Sequence, residues 1–259
     1  MYGELVSIIT PTWNSYPLII EAIKSVQSQT YKNWELLIQD DFSSDETKQY
    51  VCELASQDSR IKYECNLSNS GAAVTRNNAI RRASGRYIAF LDSDDMWYPT
   101  KLERQLFFMA ENNYAFSYTN YLEISEEGFP LGRMVTGPQI VTKKKMYAYC
   151  WPGCLTVMYD VSIVGLVQIE DIRKNNDYAL WLKVCQKSSC YLLDECLAVY
   201  RKGRIGSIST QSFFTLVSWH YKLFREVERM SRHSAMFHTI LNLVCGFYKK
   251  IVFVKRIND

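Results

Sequence analysis

No C-x-x-C pair occurs among the eight cysteines of this 259-residue chain; Cys150 and Cys154 come nearest, with three residues between them and no histidine at ligand spacing. A zinc ribbon and a dithiol redox motif are set aside on that ground, and the cysteines read as reduced core thiols. Neither G-x-G-x-x-G nor G-x-x-x-x-G-K-[ST] appears in the first half, which argues against a dinucleotide fingerprint and a P-loop. No dense basic stripe with interleaved aromatics is present and the net charge is only +3, so no nucleic-acid partner is expected. Met1-Tyr2-Gly3-Glu4 lacks the basic segment and apolar run of a cleaved secretion signal, so a cytoplasmic location is expected. The apolar run near the end is broken by His238, Asn242 and Gly246; it falls short of the ~20 residues a spanning helix needs.

What is present is a substantial apolar fraction, 47%, enough for one large domain or one domain with an appendage. Within it, Arg86-Tyr87-Ile88-Ala89-Phe90-Leu91-Asp92-Ser93-Asp94-Asp95-Met96-Trp97 is a β-prone apolar run that ends in three carboxylates within four positions. Clustered carboxylates stay ionised only where a metal, an arginine or water compensates them. Asp92 and Asp94 suit a Mg²⁺-type site, in which one or two carboxylates bind the ion and substrate phosphates complete its shell. The alternative is that one aspartate caps the helix signalled by Pro99-Thr100 and the others are solvated. A calcium loop is excluded, because the glycine and glutamate it needs are missing from their positions.

The preceding chain alternates strand and helix patterns. Leu5–Ile9 reads as a strand ended by Pro11, Pro17–Gln29 as a helix with Leu18, Ala22, Ile23 and Val26 on one face, and Glu35–Gln39 as a second strand. Such a βαβ unit requires a right-handed crossover and a parallel sheet. Helix 44–56, strand 61–65 and helix 71–83 continue the pattern, with Gly85 expected to close the last helix. The Asp92–Asp95 carboxylates then share the carboxyl edge of the sheet with Pro11-Thr12-Trp13 and Asp40-Asp41, the edge where open α/β sheets bind ligands.

Five of these segments resemble the inverting glycosyltransferase family called family 2. They are Val6–Asn14, Ser28–Glu35, Asp40–Asp45, Asn69-Ser70-Gly71 with Arg76-Asn77, and Leu91–Asp95, and their order and spacing match as well. The resemblance implies the GT-A fold: an α/β architecture with a mixed, mainly parallel sheet, helices on both faces and a helical C-terminal extension. Residues 1–210 would be the transferase domain, with a donor half to about 105 and an acceptor half beyond it, and 211–259 the extension. It also implies that Pro11, Trp13 and Asp41 hold the base and ribose of a UDP-sugar, that Asp92 takes a ribose hydroxyl, and that Asp94 binds Mn²⁺ or Mg²⁺. Arg76 would face the nucleotide or order the carboxylates, unless it is a salt-bridge partner of Asp92 or Asp41. Phe42 departs from the pattern, since the family usually has glycine there.

In the second half, Gly128–Gly132 is expected to turn a hairpin, and Lys143-Lys144-Lys145 to be a solvated loop or helix start. Asp177, just before a helix bearing Tyr178, Trp181, Leu182 and Cys185 on one face, reads as an N-cap from its position alone. The resemblance makes it the catalytic base, with Asn176 standing where many members have glutamate. Arg201 and Arg204 are candidates to neutralise a donor diphosphate, with an ordinary basic loop as the alternative. The tail from Trp219 reads either as a helix packed on the domain or as an interfacial helix on anionic lipid.

These readings converge on an inverting, metal-dependent hexosyltransferase. It would move galactose or glucose from a UDP-sugar to a lipid-diphosphate-linked sugar, in O-antigen or surface polysaccharide assembly on the cytoplasmic face of the inner membrane. Two alternatives stay open. A nucleotidyltransferase could use the same sheet edge, although Thr12-Trp13-Asn14-Ser15 lacks the basic residue it would need, and a non-catalytic nucleotide-sugar or glycan-binding protein would differ only in lacking the base.

Overall fold

The computed structural model describes residues 3–170, 172, 174–203 and 213–257. In chain order the elements are β1 (Val6–Thr12), α1 (Leu18–Gln27), β2 (Trp34–Asp40), α2 (Thr47–Gln57), β3 (Ile61–Cys65), α3 (Ala72–Arg81), β4 (Tyr87–Phe90), β5 (Met96–Trp97), α4 (Lys101–Asn112), β6 (Phe116–Ile124), β7 (Pro130–Val135), β8 (Ile140–Val141), α5 (Lys143–Ala148), β9 (Met158–Asp160), α6 (Val161–Val164), α7 (Asn176–Val184), β10 (Cys190–Arg201), α8 (Phe213–Lys222), α9 (Arg232–Val252) and β11 (Val254–Arg256).

Strands β3, β2, β1 and β4 lie side by side in parallel, as the helical crossovers between them require. β9 then pairs antiparallel with β4, and β6 with β9. β10, the longest strand, runs parallel to β6 and carries β5 and β8 as short antiparallel partners. The sheet is mixed, and its longest pairings are parallel.

The central strands are apolar without alternation because both of their faces are covered. Val6 and Ile8 of β1, Leu36 and Ile38 of β2 and Ala89 of β4 face one core with Ile19, Ile23 and Val26 of α1, Val51 of α2 and Leu102 of α4. The intervening Ile9, Leu37, Ile88 and Phe90 face another, shared with Ile80 of α3 and Trp181 of α7. One residue of shift in any central strand would exchange these two sets.

Three local expectations change. β1 continues through Pro11 and Thr12, which pair with Gln39 and Asp40, since proline is tolerated where no ladder donor is required of it. α3 ends at Arg81, so Gly85 is no helix cap. An added Cβ at Gly85 would lie 2.6 Å from the Ser7 amide nitrogen and 2.7 Å from the Leu5 carbonyl, so glycine is there for a close backbone approach. The tail, expected to be wholly helical, ends in β11, which pairs antiparallel with β7 at the sheet edge.

Candidate active site

At the carboxyl edge, β1, β2 and β4 deliver three loops. After β4, the amide of Asp95 donates to the Asp92 carbonyl at 3.1 Å, a tight turn that leaves Asp92 and Asp94 half-exposed while Ser93 and Asp95 are buried. Asp95 points inward, where its carboxylate accepts the Arg201 amide at 2.9 Å. Desolvation, reinforced by Asp94 and Asp92, holds Asp95 well above the ordinary aspartate range. The outward pair therefore carries the negative charge of the turn.

Arg76, on α3, answers that charge. Its guanidinium is buried and donates to the Asp92 carboxylate and to the Asn176 side-chain oxygen. The salt bridge to Asp92 raised in the sequence reading is therefore present, and it also ties the turn after β4 to the start of α7. Asn176 was noted only for the charge it lacks. Its signal is visible in hindsight: a neutral acceptor beside Asp177 lets Arg76 span both elements without a further carboxylate.

Asp177 occupies the first turn of α7, one residue inside the helix, and its carboxylate accepts the amide of Tyr178 at 2.8 Å. The N-cap is Asn175, whose left-handed backbone (φ 59°) starts the helix. Four residues on, Trp181 packs edge-on against Phe90 of β4, with ring centroids 5.0 Å apart, so the contact that seats α7 on the sheet also brings Asp177 to the edge where Asp92 emerges. Desolvation raises the pKa of Asp177, Arg76 opposes the shift, and Asp92 adds to it. Cys154 shares this environment: burial raises its thiol pKa, and Asp92, Arg76, Asp177 and Asp95 all act on it. Nothing in its spacing suggested a place in the site.

The loops after β1 and β2 complete the edge. Trp13 is 54% exposed and Phe42 57%, two aromatic faces at the ends of neighbouring strands. Phe42 adopts φ +65°, the left-handed conformation that glycine would accept without strain, so the backbone path of the loop is kept despite the substitution. The two acidic residues between them are engaged by the protein. Asp40 accepts the Ser43 amide and the Tyr63 hydroxyl at 2.9 and 2.7 Å, and Asp41 accepts Asn66 Nδ2 and the amides of Ser70 and Gly71 at 2.9, 2.7 and 2.8 Å. Asp41 thus orders the loop entering α3, and any contact with a base N–H would use its remaining lone pair. Pro11 is half-buried within β1.

Arg201 is not offered to a diphosphate. Its side chain is 2% exposed and donates to Glu21 Oε2 at 2.6 Å, the Glu126 carbonyl at 2.8 Å and the Asp94 carbonyl at 3.1 Å. It braces the acidic turn from behind instead. Arg204 lies outside the described residues.

Among the described residues, no group of three or more His, Cys, Asp or Glu side chains could hold a metal by itself. Two outward carboxylates on a tight turn fit a hard divalent ion whose remaining ligands come from elsewhere, as Mg²⁺-type sites at phosphates do.

The comparisons with known proteins agree with this architecture. The solved structure of Staphylococcus aureus TarS residues 1–349 in complex with UDP-GlcNAc superposes with a TM-score of 0.72 at 19% identity, over 96% of this chain and 76% of that one. The fold is GT-A. The family model for glycosyl transferase family 2 matches residues 7–159, and the chain belongs to that family. It is 40% identical over 230 residues to a Bacillus subtilis protein described as the teichuronic acid biosynthesis glycosyltransferase TuaG, covering 88% of this chain and 90% of that one. It is 43% identical over 215 residues to Escherichia coli WfgD, a UDP-Glc:α-D-GlcNAc-diphosphoundecaprenol β-1,3-glucosyltransferase, covering 82% and 83%. The protein is a glycosyltransferase whose relatives are bacterial enzymes of surface polysaccharide synthesis.

Proposed function

We propose that this glycosyltransferase inverts the anomeric centre as it moves glucose from UDP-glucose to a sugar-diphosphate-undecaprenol acceptor. The observation that carries the reading is the clamp of Arg76 on both Asp92 and Asn176, which holds the carboxylate of Asp177 beside the donor edge. The choice of glucose over galactose follows the likeness to WfgD.

Trp13 and Phe42 supply faces for the uracil, and Asp92, held by Arg76, takes a ribose hydroxyl. Asp94 would hold Mn²⁺ or Mg²⁺, which when bound neutralises charge on the departing diphosphate. Asp177 accepts the proton of the acceptor hydroxyl as that oxygen attacks the anomeric carbon from the face opposite UDP. A pKa raised by desolvation makes it a stronger base than a solvated aspartate, while Arg76 limits the rise so that the ionised form persists. One displacement inverts the anomer, so an α-linked donor gives a β-linked product.

Near the start of α7 a cavity of about 740 Å³ is lined by Lys174, Lys222 and Arg229, by Glu170 and Glu226, and by Trp219, so its cations outnumber its carboxylates, and Lys174 lies three residues before Asp177. Its cations suit the acceptor diphosphate. The lipid-linked acceptor places the enzyme at the cytoplasmic face of the inner membrane, reached from the surface. Among the described residues no helix is long and apolar enough to cross a bilayer.

The test is transfer from UDP-glucose or UDP-galactose to a synthetic GlcNAc-diphosphate lipid with Mn²⁺ or Mg²⁺, with the product anomer read by NMR. Glucose transfer with inversion is expected, and chelator should abolish it. Asp177→Asn should lose about 10²–10⁴ in turnover while UDP-glucose affinity stays within a few-fold. Retention of configuration, or near-normal turnover by Asp177→Asn, would overturn the mechanism.

A further inference from the structure

Helix α9 has two unlike faces. Its inner face packs on the domain: Ala235, Thr239 and Asn242 are buried, and Asn242 Nδ2 donates to the hydroxyl of Tyr178, the residue after Asp177, at 3.2 Å. On the opposite face Phe237, Ile240, Val244, Phe247, Tyr248 and Ile251 are each 51–69% exposed. At 3.6 residues per turn these six fall on a stripe about 100° wide, the width that ordinarily faces a protein core. Here it faces outward for most of the length of the helix. A contiguous apolar patch of this kind marks a contact surface.

Charge identifies the occupant. From Arg229 to Asn258 the chain carries no acidic residue, and Arg229, Arg232, Lys250, Lys255 and Arg256 are all exposed. Arg232 and Lys250, at opposite ends of α9, fall on the same edge of the stripe. Lys249 takes no part, because its ammonium turns inward to donate to the Trp151 carbonyl at 2.7 Å. A second copy of this chain would set one acid-free basic rim against another. An anionic bilayer presents hydrocarbon to the stripe and negative headgroups to the rim.

We propose that the outward face of α9 lies in the interface of an anionic lipid bilayer, parallel to its plane. This rests on the reading that the acceptor is lipid-linked, and adds to it the surface through which the enzyme reaches that lipid. Because the inner face of α9 touches the helix that carries Asp177, docking would fix the base at a set height above the headgroups.

The experiment is cosedimentation of the full chain with vesicles of phosphatidylglycerol and phosphatidylcholine in equal parts, against phosphatidylcholine alone. Three variants accompany it: Phe237→Ser/Phe247→Ser/Ile251→Ser, Arg232→Gln/Lys250→Gln/Lys255→Gln/Arg256→Gln, and Phe247→Trp as a reporter. The intact chain should bind the anionic vesicles. Losing the three apolar side chains should weaken binding by at least about tenfold. Each cation removed should weaken it by up to roughly fivefold, and salt should do likewise by screening. In the Phe247→Trp protein, tryptophan emission should shift to the blue on anionic vesicles, which tests insertion in a chain that keeps its stripe.

Equal binding by the intact and apolar-depleted chains, no binding by the intact chain, or no shift from the reporter would overturn the proposal. So would a dimer in solution that the apolar-depleted variant abolishes, since the stripe would then belong to a second copy. Transfer to a water-soluble acceptor lacking the lipid tail should be unchanged in that variant. Were the chain to transfer no sugar at all, the functional reading would fall while vesicle binding still decided the role of α9.

Discussion

Arg76 shows how one side chain can tune the chemistry of another. Its positive charge opposes the desolvation that lifts Asp177 above its ordinary 3.8, so removing it should move the acid limb of kcat/KM to higher pH. Arg76→Gln is expected to show that shift beside a lower rate, and an unmoved limb would disconnect Arg76 from the base. Phe42 invites a second measurement at this scale. A non-glycine residue at φ +65° stores of order 1–3 kcal/mol of strain. Phe42→Gly should relieve part of it, leaving urea stability unchanged or higher, while donor affinity weakens with the loss of an exposed ring. A clear fall in stability would show that the ring packs on the fold.

These residues also mark how far the sequence could be read. That Asp92, Asp94 and Trp13 follow strand ends and Asp177 lies near a helix start was legible because such boundaries announce themselves in short windows, whereas the role proposed for Asp177 came from the resemblance alone. The partners of Arg201 were not, since Glu21 lies 180 positions away and only the folded chain brings the two together. Asp41 was legible as an acidic residue at a strand end, yet its engagement by the Ser70 and Gly71 amides depends on how the loop into α3 closes.

Among the elements, α7 and α9 form a pair. α7 is seated by Trp181 on β4, and α9 backs it through Asn242, so the position of Asp177 depends on a helix well outside the motifs of the first half. The boundaries of β3 were readable from pattern and punctuation alone. β11 was not, because a three-residue strand becomes one only where an open edge accepts it. Lys249 supplies a test of the α9 packing. Burial lowers its pKa from 10.5 to about 8, so between those values the unfolded chain binds a proton that the folded chain has released. Stability should therefore rise with pH through that window. Lys249→Met should flatten the slope in thermal melts taken across it, and an unchanged slope would place the ammonium in water.

At the scale of the molecule, the α/β alternation was enough to anticipate a parallel core with polar strand ends gathered on one edge. The second half resisted such reading, because β6 and β10 each combine parallel and antiparallel neighbours, and β9 runs against both of its own, none of which a local pattern announces. At its two ends, β3 and the β7–β11 pair, the sheet also meets an old problem of β proteins in different ways. β3 is five residues long and carries exposed Lys62 and Glu64, a short charged strand that discourages a stranger strand from adding there. β7 is shielded by the chain itself, through β11 and the bond from the Ile257 amide to the Gly132 carbonyl at 2.9 Å. A chain cut after Phe253 should keep its helices and its carboxyl-edge loops but expose the backbone of β7, and should self-associate through it. Light scattering at rising concentration would reveal this, and a shortened chain that stays monomeric would show β7 to be shielded by other means. On this view the last few residues act as a molecular selvedge, the finished border that keeps one sheet from being woven into the next.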